Sequence, residues 1–228
     1  MEKFMMTEHW RVFRVLAEFI ESIQFMASAG ISVSVFGSAR LKPGSKYYRI
    51  GERIGRLLAE KNISVITGGG PGIMEAVNKG ASVAAARGKG RSIGLNIELP
   101  YEQAPNKFVT HLKSFHYFFI RKVMFVKYAK AVIVLPGGYG TMDEFFEVIT
   151  LVQTGKIKKI PIVLVGSSFW LPFIHFFKAH ILKEGLIEKD DMKLFTVADT
   201  AEDAVSAVLK HIGRTTKSIT DNLEYAGS

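Results

Sequence analysis

Ala131-Val132-Ile133-Val134-Leu135-Pro136-Gly137-Gly138-Tyr139-Gly140-Thr141-Met142-Asp143-Glu144 is the stretch that decides the fold. Its first five residues are apolar without a break, as in a strand covered on both faces of a parallel sheet. Pro136 to Gly140 stops that strand, and Thr141 opens a helix with Asp143, Glu144 and Glu147 in its first turns. A buried strand that passes through a glycine turn straight into a helix is the repeating unit of an α/β fold.

The same unit occurs upstream, where Ile63 to Thr67 runs into Gly68-Gly69-Gly70-Pro71-Gly72 and a helical stretch through Ala86. Ile31 to Phe36 alternates and is rich in β-branched residues, giving a first strand that ends at Gly37, with a helix from Tyr48 to Glu60. Ser92 to Ile97 is a third strand, and Phe115 to Ala129 is an apolar helix leading into the quoted stretch. Beyond it come a strand at Ile160 to Val165, an amphipathic helix at Phe169 to Leu182, a short strand at Lys193 to Val197 and a helix opening near Thr200. Trp10, Phe13, Leu16, Ala17, Ile20, Ile23 and Ala27 recur at spacings of three and four, which predicts an N-terminal helix over about residues 7–28.

Strands and helices thus alternate throughout. The pattern predicts an α/β, Rossmann-like doubly wound fold: a mostly parallel sheet with helices on both faces, joined by right-handed crossovers. A single domain is expected over residues 1–212, followed by a polar, mobile tail at 213–228.

The chain has 228 residues, 48% of them hydrophobic and 22% charged, with no apolar run long enough to span a bilayer. Residues 1–7 lack the features of a secretory signal, so a cytoplasmic protein is expected. There are no cysteines, which removes thiolate chemistry and cysteine metal sites and leaves catalysis to hydroxyl and carboxylate groups. The formal net charge of +9 is spread along the chain without a basic arm or aromatic-interleaved stripe, so no specific nucleic-acid partner is expected.

Ligands of open parallel sheets bind beyond the carboxyl ends of the strands. Three loops lie there: Gly37-Ser38-Ala39-Arg40, Gly68 to Gly72, and Pro136 to Thr141. Their glycines let backbone N–H groups approach a phosphate, and a helix start adds about half a positive charge. Glycines also simply end strands in tight turns, and first-turn carboxylates such as Asp143 and Glu144 also simply complement a helix dipole. Neither glycine loop continues as a P-loop or matches the dinucleotide fingerprint.

The segment from Pro136 to Glu144 matches the motif PGGxGTxxE and resembles the LOG ("lonely guy") family, the cytokinin riboside 5′-monophosphate phosphoribohydrolases. The resemblance extends to Gly68 through Ala76, to the turn Gly37-Ser38-Ala39-Arg40, and to Arg121-Lys122, fifteen residues before Pro136. It implies cofactor-free cleavage of a purine nucleoside 5′-monophosphate to a free base and ribose 5-phosphate, with Glu144 and Arg121 as catalytic residues. It further implies substrate contacts from Ser38, Arg40, Gly69, Gly70, Glu75, Lys122, Gly137, Gly138, Tyr139, Gly140 and Thr141. Lys122 and Arg121 are adjacent helix positions about 100 degrees apart, so both cannot point into one pocket. Glu75-Ala76 stands where the family usually has glycine after the methionine. His111 and His116 are read as surface or core histidines.

The resemblance also implies a homodimer or larger assembly with the pocket completed across it. One alternative is a non-catalytic carrier, of the same fold, of a nucleotide or of molybdenum cofactor; another is lysine decarboxylase, a label attached to the family by similarity, whose chemistry needs pyridoxal phosphate on a Schiff-base lysine.

Overall fold

The computed structural model describes residues 2–98 and 104–225, with side chains over 10–98 and 104–213. Strands β1 (Ser32–Phe36), β2 (Ser64–Thr67), β3 (Ser92–Ile97), β4 (His111–Phe115), β5 (Ala129–Val134), β6 (Ile162–Val165) and β7 (Thr196–Ala198) form one sheet. Their order is β4-β3-β2-β1-β5-β6-β7 and every neighbouring pair is parallel. The helices are α1 (Glu2–Ala27), α2 (Lys46–Glu60), α3 (Ile73–Ala85), α4 (Phe118–Lys127), α5 (Tyr139–Gln153), α6 (Ser167–Phe176) and α7 (Ala201–Tyr225).

The period-two alternation of a strand sorts its side chains into two cores. Val33, Val35, Ala131, Ile133 and Leu135 pack with Ile54 and Leu58 of α2, Val77 of α3 and Val205 and Val208 of α7. Phe36, Val132 and Val134 point the other way, into Ile120, Met124 and Phe125 of α4, Phe145 of α5 and Trp170 of α6. The unbroken apolar run at residues 131–135 is therefore explained by cover on both faces, each fully buried aliphatic side chain contributing roughly 1.5–3 kcal/mol.

Several boundaries differ from the sequence reading. The expected helix from Phe115 to Ala129 is shorter, because its first residue closes an edge strand and its last opens β5. Only one end residue of β4, Phe115, is fully buried, so Leu112, Lys113 and Ser114 gave no apolar signature. His111 accordingly lies in a strand and His116 in the turn that follows it. The expected helix at 169–182 starts at Ser167 and changes to a π-helical turn at Phe177–Leu182. Lys193 closes a 3-10 turn, Lys189–Lys193, before β7. Helix α7 runs past residue 212, where the tail was expected to begin; the side chains of 214–228 lie outside those described.

The chain builds the sheet outward from β1 to β4, then returns to the other side of β1 to lay down β5. The loops after β1 and β5 therefore leave the sheet in opposite directions, and a crevice opens between them.

Candidate active site

The two loops at this switch point are tied together. The Ser38 N–H donates to the Pro136 carbonyl at 3.0 Å, and the Ile73 N–H donates to the Ser38 carbonyl at 2.9 Å, bringing in the start of α3. They border a cleft of about 830 Å³ lined by Ser38, Arg40, Gly68, Arg121, Glu144 and the whole of Gly137 to Thr141. That volume lies within the ordinary range of small-molecule sites. Phe118 and Phe125 of α4 and Phe169 and Phe173 of α6 supply apolar surface to the same cleft.

Helix α5 begins at the mouth. Gly138 is its N-cap residue, with no side chain to cap the helix, and its carbonyl receives the N–H groups of Thr141 and Met142. The amides of Tyr139 and Gly140 belong to the set that a helix start leaves without an intrahelical partner, and they stand on the cleft wall, suited to an anion. Gly137 has to be glycine: a Cβ there would collide with the side chain of Thr141.

Glu144 sits one turn further along α5, and Arg121 approaches from the facing helix α4. Both are largely buried, and among the described residues they form no direct ion pair. The Arg121 Nε and the Glu144 Oε2 are buried without a hydrogen-bond partner. Burial pushes the Glu144 carboxyl up to about 7; Lys122 and Arg121 oppose that rise, while Glu147 and Asp143 add to it. Burial likewise lowers the Arg121 guanidinium, against the pull of Glu144. Opposite charges on the same cleft, each largely buried and with an unused hydrogen-bonding atom, form an arrangement fit to meet a polar ligand.

Lys122, the neighbour of Arg121, points elsewhere. Its ammonium lies 2.6 Å from Asp143 and 3.1 Å from Glu147, clamping α4 to α5 outside the cleft lining. Glu75 is also outside it, accepting a hydrogen bond from the Tyr48 hydroxyl at 2.8 Å. Gly69 and Gly70 lie behind the site, their carbonyls held by the Asn106 amide at 3.0 and 2.9 Å.

Gly68 was missing from the sequence-derived set. A Cβ on it would stand 2.6 Å from Arg121 Nη2 and 2.7 Å from Met74 Sδ. Both are ends of flexible side chains, so Gly68→Ala is expected to fold normally while displacing the guanidinium. Turnover in this cleft should fall by at least about 10-fold, since displacements near 1 Å at a reacting centre cost up to about 100-fold. Wild-type kinetics in that variant would show that the guanidinium's place is immaterial. Phe169 and Phe173, one turn apart near the start of α6, were likewise absent from that set, falling in the sequence only within an amphipathic helix.

The family model described as "Possible lysine decarboxylase" matches residues 74–208. A cytokinin riboside 5′-monophosphate phosphoribohydrolase of Oryza sativa subsp. japonica, LOG, is 32% identical over 181 residues, covering 77% of this chain and 71% of that one. The chain belongs to the LOG family. Another LOG-family relative, the cytokinin riboside 5′-monophosphate phosphoribohydrolase of Rhodococcoides fascians, is 29% identical over 180 residues, covering 78% of this chain and 88% of its own. The molybdenum cofactor carrier protein of Chlamydomonas reinhardtii shares the fold with a TM-score of 0.59 at 21% identity, covering 80% of this chain and 98% of that one. In this LOG-family chain the family-model match contains α4, α5 and the loop between β5 and α5, whereas β1, its loop and α1 precede it.

Proposed function

We propose that this protein hydrolyses the N-glycosidic bond of a purine nucleoside 5′-monophosphate, AMP or an N6-modified AMP, releasing the base and ribose 5-phosphate. The observation that carries the reading is the meeting of Glu144 and Arg121 in a cleft whose mouth is a glycine-opened helix start. The phosphate takes the N-terminus of α5 around Gly138, Gly140 and Thr141, with Ser38 and Arg40 on the opposite loop. The base lies against the aromatic side chains of α4 and α6. Cleavage draws positive charge onto the sugar, and an ionised Glu144 beside the anomeric carbon either stabilises that charge or activates the attacking water. Arg121 offers two parallel donors to substrate oxygens or to the carboxylate.

The relatives' printed activities agree with this reading. A Schiff-base decarboxylase needs a lysine in its cleft, and among the described residues none lines this one. Phe119 and Val123 of α4 are exposed beside Phe118, which itself borders the cleft, and this unpartnered face supports a homo-oligomer whose second subunit flanks the site. No helix among the described residues is long and apolar enough to cross a membrane.

Incubation with AMP, isopentenyladenosine monophosphate, GMP and CMP, with chromatography of the products, tests the proposal. Free adenine or isopentenyladenine together with ribose 5-phosphate is expected. Tight nucleotide binding without product, unchanged in Glu144→Ala, would favour a carrier instead.

A further inference from the structure

Helix α1 precedes the stretch matched by the family model, yet it touches both ends of the helix that carries Arg121. At the start of α4, Glu18 of α1 accepts the His116 N–H through Oε2 at 3.0 Å and the Tyr117 N–H through Oε1 at 3.2 Å. Tyr117 is the N-cap residue of α4, and its side chain makes no capping hydrogen bond. No acidic residue occupies the first turn of α4 either. At the other end Tyr128, the C-cap residue, donates its hydroxyl to the Ile23 carbonyl of α1 at 3.3 Å.

The Glu18 side chain is only 11% exposed, and the His116 ring lies against it, 3.4 Å from its Oε2 and 2.9 Å from Glu98 on the far side. A carboxylate on two otherwise unpaired amides at a helix start combines charge-assisted hydrogen bonds with the helix dipole. In this chain the residue that caps α4 comes from 99 positions away in sequence.

Among the described residues no side-chain hydrogen bond or ion pair holds the Arg121 guanidinium, so its aim depends on the helix that carries it. Its Nε has no partner, and its guanidinium carbon stands 5.0 Å from the ring centre of Phe125, one turn along the same helix. Its N–H closes the first turn of α4 onto the Tyr117 carbonyl at 3.3 Å. The direction of the guanidinium is therefore inherited from the first turn of α4, and that turn is held by Glu18.

We propose that Glu18 is a positioning residue: through the amides of His116 and Tyr117 it fixes the first turn of α4 and so the aim of Arg121 into the cleft. The effect on catalysis rests on the hydrolase reading above, whereas the effect on α4 does not. The two are separated by pairing amide hydrogen exchange with kinetics.

In Glu18→Ala the amides of residues 117–121 should exchange roughly 10-fold faster, with those of β1 and β5 unchanged. The kcat for AMP should fall about 10-fold with KM within about 2-fold, since only an interaction made at the reacting centre is disturbed. Glu18→Gln keeps one carbonyl acceptor but loses the charge and the second acceptor, so both exchange and kcat should fall between those of Glu18→Ala and the wild type. Glu21→Ala, which loses only the exposed link from Glu21 to Lys113, should change neither. Wild-type exchange over 117–121 in Glu18→Ala overturns the proposal. So does faster exchange with an unaltered kcat, or a Gln variant no better than Ala. If Glu18→Ala does not fold, Glu18→Gln carries the test, with intermediate exchange expected and wild-type exchange overturning. A wild-type protein that cleaves no nucleotide sinks the hydrolase reading, and the exchange data still decide what Glu18 does to α4.

Discussion

Glu144→Gln is expected to lower kcat for nucleoside monophosphate cleavage by about 10³-fold while nucleotide binding changes only a few-fold. The substitution keeps the shape and one acceptor of the side chain and removes only its negative charge. In water that charge would matter little, but Glu144 is largely buried, where opposite charges interact several times more strongly than in bulk solvent. Among the described residues its Oε2 has no hydrogen-bond partner, so that oxygen is free to meet a substrate or water. Fixed groups aimed at developing charge typically account for about 10²–10³ in rate, and a carboxylate facing an oxocarbenium-like centre, or turning a water onto it, stands at the upper end. The measurement is steady-state release of free base from AMP. A Gln variant with the wild-type rate would move the chemistry away from Glu144.

Much of this architecture was legible in the chain. The run at residues 131–135 announced a strand covered on both faces, and the two glycine turns marked strand ends that feed helices. What the sequence hid was set by partners far away in the chain. Strand β4 is an edge strand, pairing on one side with β3, and only Phe115 gives it a buried anchor, so no apolar pattern betrayed it. His116 looked idle because its role depends on Glu18 and Glu98, which tertiary folding brings to it.

The site shows the same division. Helical geometry alone said that Arg121 and Lys122 could not share a pocket, and the structure puts Arg121 in the cleft and Lys122 on Asp143 and Glu147. Motif matching could not make that separation, because the two residues travel together in the motif. It covered Gly68 but gave it no role, because the importance of that residue lies in the space it leaves for Arg121. Motif spacing locates a site along the chain; which atoms face it depends on helix phase and on what packs behind.

Glu144→Gln should also make the protein more stable above neutral pH and leave it unchanged below about pH 4.5. The carboxyl titrates near its ordinary 4.5 in the unfolded chain and near 7 in the folded one, because burial penalises the anion. Below the lower value both states are protonated and no penalty exists. Between the two, unfolding releases a proton that the folded site still holds, so stability falls as pH rises. Above the folded value both states are ionised and the whole cost remains, on the order of 3 kcal/mol for a rise of this size. Glutamine never ionises and escapes that cost. For a chain of this length the gain corresponds to roughly 5–10 °C in melting temperature at pH 8, against little difference at pH 4.5. Melting curves of both proteins at the two pH values decide the matter, and an equal offset at both would assign the effect to packing rather than charge. A loss of rate joined to a pH-dependent gain in stability is what a charge held in place for chemistry predicts, since a purely structural carboxylate would lose stability when removed.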